Sequence, residues 1–455
     1  MTLPRPARPA RRHRARIAGT TTAVMLSLVA AVVPAQAATA PAPGAHATTG
    51  TTARPGHLDH KALDEKLAAL RRAGMYGTYA AVREGRDEWR GAAGVADLAT
   101  NRPVEPQMQH RLGSLTKAFT AVAVLQQVDA GRIDLDAPIA RYLPDLVPGE
   151  RGRKITVRML LNHTSGIADY ILGAFPSLLK GSTESLDTNR HRHFAPEELA
   201  RLGLQAEPTG KPGEKWSYAN TNYVIAGMLL QKVTSEDPQE YITRKVIRKA
   251  GLKHTYFPAS ARISGPHSKM YESFYGLISP ARDYSTYDMS WGGTAGALVA
   301  TMEDVNTFYR ALLTGELLAP AELRQMQTTV EAKDEEGNLL MHYGLGIGAI
   351  DTACGRFWGH TGAVWGAETV TYSTPDGKRQ MSLGFNRSKY QQLDATGHIK
   401  PGPIDAATGA FQAKAMCDID VPAEPRRFAH PAAPKAPEGL PVPLTRPLTP
   451  LSPGR

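Results

Sequence analysis

Arg111-Leu112-Gly113-Ser114-Leu115-Thr116-Lys117 runs directly into Ala118-Phe119-Thr120-Ala121-Val122-Ala123-Val124-Leu125. Apolar residues continue to Val128 and the run stops at Gly131, which predicts a helix buried on most sides. Ser114 stands at its start and Lys117 three residues on, so the two side chains share one helical face. A hydroxyl beside an amine on a buried helix is the pattern of a nucleophile with a neighbouring proton acceptor. The helix start adds unpaired backbone N–H groups and a positive field that favour a developing oxyanion. The spacing alone decides little, because Ser177-Leu178-Leu179-Lys180 repeats it after Pro176 with no long apolar helix behind it. The ordinary reading of Ser-x-x-Lys is a helix cap with a solvated lysine. Ser114 is set apart by what stands further along the chain.

A chain of 455 residues, 42% of them hydrophobic, can bury one large core or fold as two lobes. The ends are different in kind. Six arginines lie between residues 5 and 16, residues 17–33 are small and apolar, and Ala35-Gln36-Ala37 is a small-x-small cleavage site. Residues 1–37 therefore read as a secretory signal peptide, of Sec rather than twin-arginine type, which implies a secreted, extracellular protein. Residues 38–56 are rich in Ala, Thr, Pro and Gly and read as a flexible linker. Residues 421–455 hold ten prolines and no span long enough to cross a membrane, so a disordered tail and no transmembrane anchor are expected. The net charge of +10 sits mostly in these two ends. The body is nearly neutral, and the basic balance argues for no nucleic-acid partner.

Two cysteines, Cys354 and Cys417, are present. In an exported protein such a pair reads as a disulfide, with two buried thiols as the alternative.

Along the chain, residues 57–74 carry leucines at helical spacing, and residues 76–82 and 89–95 read as two strands joined at Gly85-Arg86-Asp87. After the serine helix the pattern turns mostly helical, through 156–161, 196–204, 222–233 and 238–250. Strand-like runs return at 342–350, 356–359, 368–372 and 381–385, and a last helix covers about 405–416. Strands at both ends around a helical block predict an α/β (α+β) fold. An antiparallel sheet from distant parts of the chain would be flanked by helices, with a mostly helical lobe at about 130–290 inserted and a cleft between. The hydrolase domain would span 57–420.

Two further constellations fall at the edges of that cleft. In Trp216-Ser217-Tyr218-Ala219-Asn220, Tyr218 and Asn220 point the same way if the stretch is extended. A phenol whose pKa a nearby ammonium lowers can take a proton, and an amide can hold a substrate amide. In Gly359-His360-Thr361-Gly362-Ala363, a histidine is followed by small residues that let a ligand approach the backbone. No second histidine or acid stands at ligand spacing, so no metal and no cofactor are expected.

In the order Ser-x-x-Lys, Tyr-x-Asn, His-Thr-Gly, the chain resembles the serine β-lactamase and penicillin-binding protein family, in its class C branch. It is most similar to secreted D-alanyl-D-alanine carboxypeptidases of actinomycete type. Asp134-Leu135-Asp136-Ala137-Pro138, Leu160-Leu161-Asn162-His163-Thr164-Ser165-Gly166 and Tyr343-Gly344-Leu345-Gly346 are similar as well, as is the placement of the cysteine pair. The resemblance implies a β-lactamase-like fold and a metal-free acyl-enzyme hydrolase, monomeric, acting on D-alanyl peptides and β-lactams. It implies Ser114 as nucleophile, Lys117 and Tyr218 sharing the proton work, and His360 where many relatives carry lysine. Asn220 would hold the substrate amide, with Thr361 and Gly362 lining the edge. The N–H groups of Ser114 and Ala363 would form the oxyanion hole, and Trp291 would line the acyl pocket. Two residues depart from the carboxypeptidase pattern: Ala363 replaces a threonine, and Gly348 stands where an arginine holds the substrate carboxylate. Rival readings are an esterase, a D-aminopeptidase or amidase, a β-lactamase, and a non-catalytic penicillin-sensing or cell-wall module.

Overall fold

The computed structural model describes residues 57–334, 336–394 and 399–421. The expected signal peptide and linker, and the tail beyond residue 421, lie outside the described residues. Among those described, no helix is long and apolar enough to cross a membrane.

The sheet is built from both ends of the chain, as the sequence predicts. Strands β1 (Gly77–Glu84), β2 (Asp87–Asp97) and β3 (Arg102–Pro103) come from the N-terminal part. The rest are β4 (Val330–Lys333), β5 (Leu339–Tyr343), β6 (Gly348–Thr352), β7 (Gly355–Val364), β8 (Ala367–Ser373) and β9 (Arg379–Phe385). The order is β3-β2-β1-β9-β8-β7-β6-β5-β4, with antiparallel pairing throughout. The seam is β1 on β9, where Tyr79 faces Gly384 and Val82 faces Met381.

One face is covered by two terminal helices, α1 (His60–Arg72) and α8 (Pro403–Cys417). Leu63, Leu67 and Leu70 of α1 and Phe411 and Ala415 of α8 bury against Trp89, Val370, Met381 and Leu383 of the sheet. Each such leucine contributes about 1.5–3 kcal/mol of transfer energy. Cys354, just before β7, is bonded to Cys417 at the end of α8, so the pairing read from the sequence is present.

The other face carries the helical region. α2 (Thr116–Asp129) is buried from Thr116 to Leu125, and Phe119 stacks on Phe308 at 3.6 Å between ring centroids. Around it lie α3 (Val157–Leu161), α4 (Pro196–Gln205), α5 (Asn220–Thr234), α6 (Met302–Leu313) and α7 (Pro320–Met326).

Two expectations about the elements need correction. Residues 342–350 are not one strand, because Gly346 turns with φ +80 and splits the run into β5 and β6. A Cβ there would lie 2.7 Å from the Cβ of Ala121 and 2.8 Å from Tyr223 Oη, so the turn presses glycine against α2 and α5. Residues 238–250 form an α-turn (Pro238–Ile242) that continues as a π-turn (Thr243–Ile247), not one regular helix. α6 is a further helix, capped by Thr301, whose side chain accepts from the Asp304 N–H at 3.3 Å, a start signal visible in the chain.

Candidate active site

Ser114 sits buried in a 3-10 turn (Gly113–Leu115) that feeds α2. Lys117 Nζ donates to Ser114 Oγ at 3.0 Å, to Asn220 Oδ1 at 2.7 Å and to the Ala295 carbonyl at 2.9 Å. The Ser114 hydroxyl also hydrogen-bonds with Tyr218. The structure thus brings together Ser114, Lys117, Tyr218 and Asn220. Ser177 is elsewhere engaged, with its Oγ bonded to Ser185 Oγ at 2.6 Å and to the Ser182 carbonyl at 2.8 Å. Its Lys180 is exposed.

Burial sets the electrostatics. It pulls the Lys117 ammonium down to about 7, against the opposing charge of Asp169. Half of the lysine is then a neutral amine near neutral pH, able to accept the proton of Ser114. Tyr218 differs from the sequence expectation. Its pKa is raised, not lowered, because burial of the phenolate outweighs its bond to Ser114. Lys117 Nζ lies over the Tyr218 ring, 4.9 Å from the centroid, and touches the face of the ring. The amine, not the phenolate, is the base this geometry offers.

β7 brings the second edge. It runs so close to Ser114 that a Cβ on Gly362 would lie 1.9 Å from the Leu112 carbonyl oxygen and 3.0 Å from Ser114 N. A Cβ on Gly113, where φ is +57, would lie 2.7 Å from Ala363 N. The two glycines let the backbone N–H groups of Ser114 and Ala363 stand side by side, the arrangement that can hold an oxyanion.

His360 Nδ1 donates to the Thr361 carbonyl, and its Nε2 accepts from the Tyr343 hydroxyl at 2.9 Å. Burial and the nearby Lys117 lower its pKa to about 3, so it stays neutral and supplies no positive charge. Thr361 lines the same cleft, with Trp216, Tyr218, Met341, Tyr343, Gly348, Ile350, Gly359, His360 and Tyr372. No lysine or arginine is among these ten residues. Gly348 pairs with Gly359 on the neighbouring strand, and a Cβ built on it would lie 2.7 Å from Met341 Sδ. A methionine side chain therefore fills the space beside this glycine.

Trp291 is not among the residues lining this cleft. It packs in an aromatic group, with ring centroids 5.3 Å from Trp365 and 5.8 Å from Phe175. Its segment reaches the site through the Ala295 carbonyl.

Asn220 is more occupied than the sequence suggested: its Oδ1 accepts from Lys117, and its Nδ2 donates to Asp169 Oδ2 at 2.8 Å. Asp169 and His163 also stand at the site, and none of the three motifs contains them. His163 has φ +62, and its Nδ1 accepts from the Ala219 N–H at 3.2 Å. Its ring lies 4.3 Å from the Tyr218 ring. A histidine in the left-handed region next to Thr-Ser-Gly is invisible to spacing rules, since only the φ marks it.

The Beta-lactamase family model matches residues 60–399, and the chain belongs to that family. A D-stereospecific amidohydrolase from Streptomyces sp. has a solved structure 34% identical in sequence. The match covers 79% of this chain and 99% of that one, with a TM-score of 0.69. The Protein flp of Staphylococcus aureus (strain MW2) is 30% identical over 36% of this chain, and the match spans 31% of its length. The Esterase EstB of Burkholderia gladioli is 31% identical over 42% of this chain and 49% of its own. The chain therefore spans less than half the length of these two curated relatives. Residues 60–399 thus form a domain of the serine hydrolase class.

Proposed function

We propose that the protein hydrolyses D-aminoacyl amides and esters, with Ser114 as nucleophile and Lys117 as its base. The substrate's terminal carboxylate plays little part. One observation carries the reading: the cleft beside the Ser114–Lys117 pair is lined mostly by aromatic and aliphatic side chains, with the Thr361 hydroxyl and a neutral histidine, and no lysine or arginine is in the lining. A carboxylate entering such a cleft loses its water and finds no arginine or lysine of the lining to pair with, which is costly. An amide or ester loses far less. The likeness to a D-stereospecific amidohydrolase and to an esterase supports the same reading, and the Tyr-x-Asn and His-Thr-Gly edges suit a D-aminoacyl backbone laid along β7.

The chemistry follows from the contacts. Lys117 takes the Ser114 proton as Oγ bonds to the substrate carbonyl carbon, and the carbonyl electron pair moves onto the oxygen between the N–H groups of Ser114 and Ala363. Collapse breaks the bond to the leaving amine or alcohol, which receives the proton from the Lys117 ammonium. Water then cleaves the Ser114 ester by the same route. Tyr218, with its phenol neutral, orients the Ser114 hydroxyl.

Strict D-alanyl-D-alanine carboxypeptidase activity is the other reading, and the Gly348 and Met341 pair argues against it. The test is the ratio of kcat/KM for a peptide ending in D-Ala-D-Ala to that for its C-terminal amide. The two should lie within about threefold, whereas a charge-assisted carboxylate contact of roughly 1.5–3 kcal/mol would favour the free acid at least tenfold. A hundredfold preference for the free acid would overturn the proposal.

A further inference from the structure

Asp169 belongs to none of the three motifs, yet both its oxygens are taken up at the site. Oδ1 accepts from the Ile171 N–H at 2.9 Å. Oδ2 accepts from the Asn220 N–H at 2.6 Å and from Asn220 Nδ2 at 2.8 Å. Asn220 is the first residue of α5, whose own N-cap, Ala219, offers no side-chain bond. A carboxylate from 51 residues earlier does the capping instead, at the helix end whose field favours an anion.

The same oxygen fixes the Asn220 side chain. With Nδ2 held by Asp169, Oδ1 is left facing Lys117 Nζ at 2.7 Å. The flipped amide would set its NH2 against the lysine and its oxygen against the carboxylate, which pairs donor with donor and acceptor with acceptor. The charge matters too. The groups around Lys117 are the rings of Tyr218 and Tyr223, at 4.9 and 5.6 Å, the His163 and His360 imidazoles, the Ser114 hydroxyl and Asp169. Both phenols and both imidazoles are neutral near pH 7, as burial dictates. Burial raises the Asp169 carboxyl, but its oxygens accept from three N–H donors and face the Lys117 charge, which favour the carboxylate, so Asp169 is the anion facing Lys117 among the described residues.

We infer that Asp169 is a positioning residue for Lys117: it locks the Asn220 amide and supplies the negative charge that keeps Lys117 basic enough to take the Ser114 proton. This rests on the roles given to Ser114 and Lys117 in the proposed function. The sign is specific. Acylation needs neutral Lys117, so its rate rises with pH through the lysine's pKa, near 7 in the native protein. Removing a neighbouring anion makes the ammonium less stable, and the acid limb must move to lower pH, where a simple loss of packing would only reduce the rate.

The experiment measures the acylation rate by a chromogenic cephalosporin, which has no group titrating near neutrality, from pH 5 to 9 by stopped flow. Asp169→Asn should lower the plateau at least tenfold and shift the acid limb down by about one pH unit or more. Asp169→Glu, which keeps the charge, should leave the limb at the wild-type position while its longer side chain lowers the plateau. An Asp169→Asn limb that stays near 7 would overturn the inference. If Asp169→Asn does not fold, as judged by thermal unfolding, Asp169→Glu decides: a limb at the wild-type position supports the role, and one shifted downward overturns it. Mapping the adduct keeps the two levels apart. Acylation of wild type anywhere but Ser114 refutes the underlying reading, whereas Ser114 acylation with an unmoved limb refutes the Asp169 role alone.

Discussion

Gly362→Ala is the sharpest perturbation the site allows. A methyl group at this position would stand 1.9 Å from the Leu112 carbonyl oxygen, and both partners are backbone. Reaching even the tightest tolerated separation requires β7 and the serine turn to part by roughly 1 Å, because no side-chain rotation relieves a backbone clash. Ala363 N–H is the next residue's donor, and it moves with the strand. A donor displaced by that much no longer meets the oxyanion at hydrogen-bonding distance. Loss of one such donor costs about 2.7–4 kcal/mol, or 10²–10³ in kcat. The assay is kcat and KM for a chromogenic D-aminoacyl ester, with thermal unfolding measured alongside. The expected result is a kcat lower by a factor of about 100 or more, with KM changed far less, because the donor acts on the developing charge. A variant within threefold of wild type in kcat, with its unfolding temperature unchanged, would refute the placement of the oxyanion hole between Ser114 and Ala363.

Two other outcomes follow from the frame around the site. Cys354 and Cys417 close a loop with a sequence separation of 63, so reduction should cost about 4 kcal/mol on the chain-entropy model. Thermal unfolding with and without reductant checks this, and an unchanged midpoint would contradict it. Glu368 is buried beside Glu272 and Lys389, and burial raises its pKa to about 7. A raised folded-state pKa means that stability is fullest below the ordinary value of 4.5 and is lost as pH climbs toward 7. Glu368→Gln removes that loss, so its unfolding free energy relative to wild type should improve between pH 5 and pH 8, by on the order of 3 kcal/mol at most. A difference that is flat over this range would contradict the argument.

The fold was legible where hydrophobic period and chain order were informative. The leucine spacing of α1, the apolar run of α2 and the late strands gave the sheet and its flanking helices, and the gathering of strands from both termini followed from their positions. The 342–350 run misled because its apolar pattern carries across Gly346, and only the close packing of that glycine on Ala121 and Tyr223 dictates a turn. The members of the site were legible through three short motifs, but their physics was not. Whether Tyr218 or Lys117 is the base depends on burial, which disfavours the ammonium of one and the phenolate of the other, and burial is a property of the folded chain. Asp169 stayed hidden for a related reason: its partners are a backbone N–H and an amide 51 residues away, and no local pattern marks a cap supplied from another segment.

The central claim, that Ser114 carries the covalent chemistry, is tested most directly by treating the protein with a penicillin and mapping the adduct by mass spectrometry. The wild type should carry one acyl group on the peptide containing Ser114, Ser177→Ala should be labelled equally, and Ser114→Ala should not be labelled. An adduct on any other serine, or D-aminoacyl ester turnover that survives in Ser114→Ala, would contradict the account.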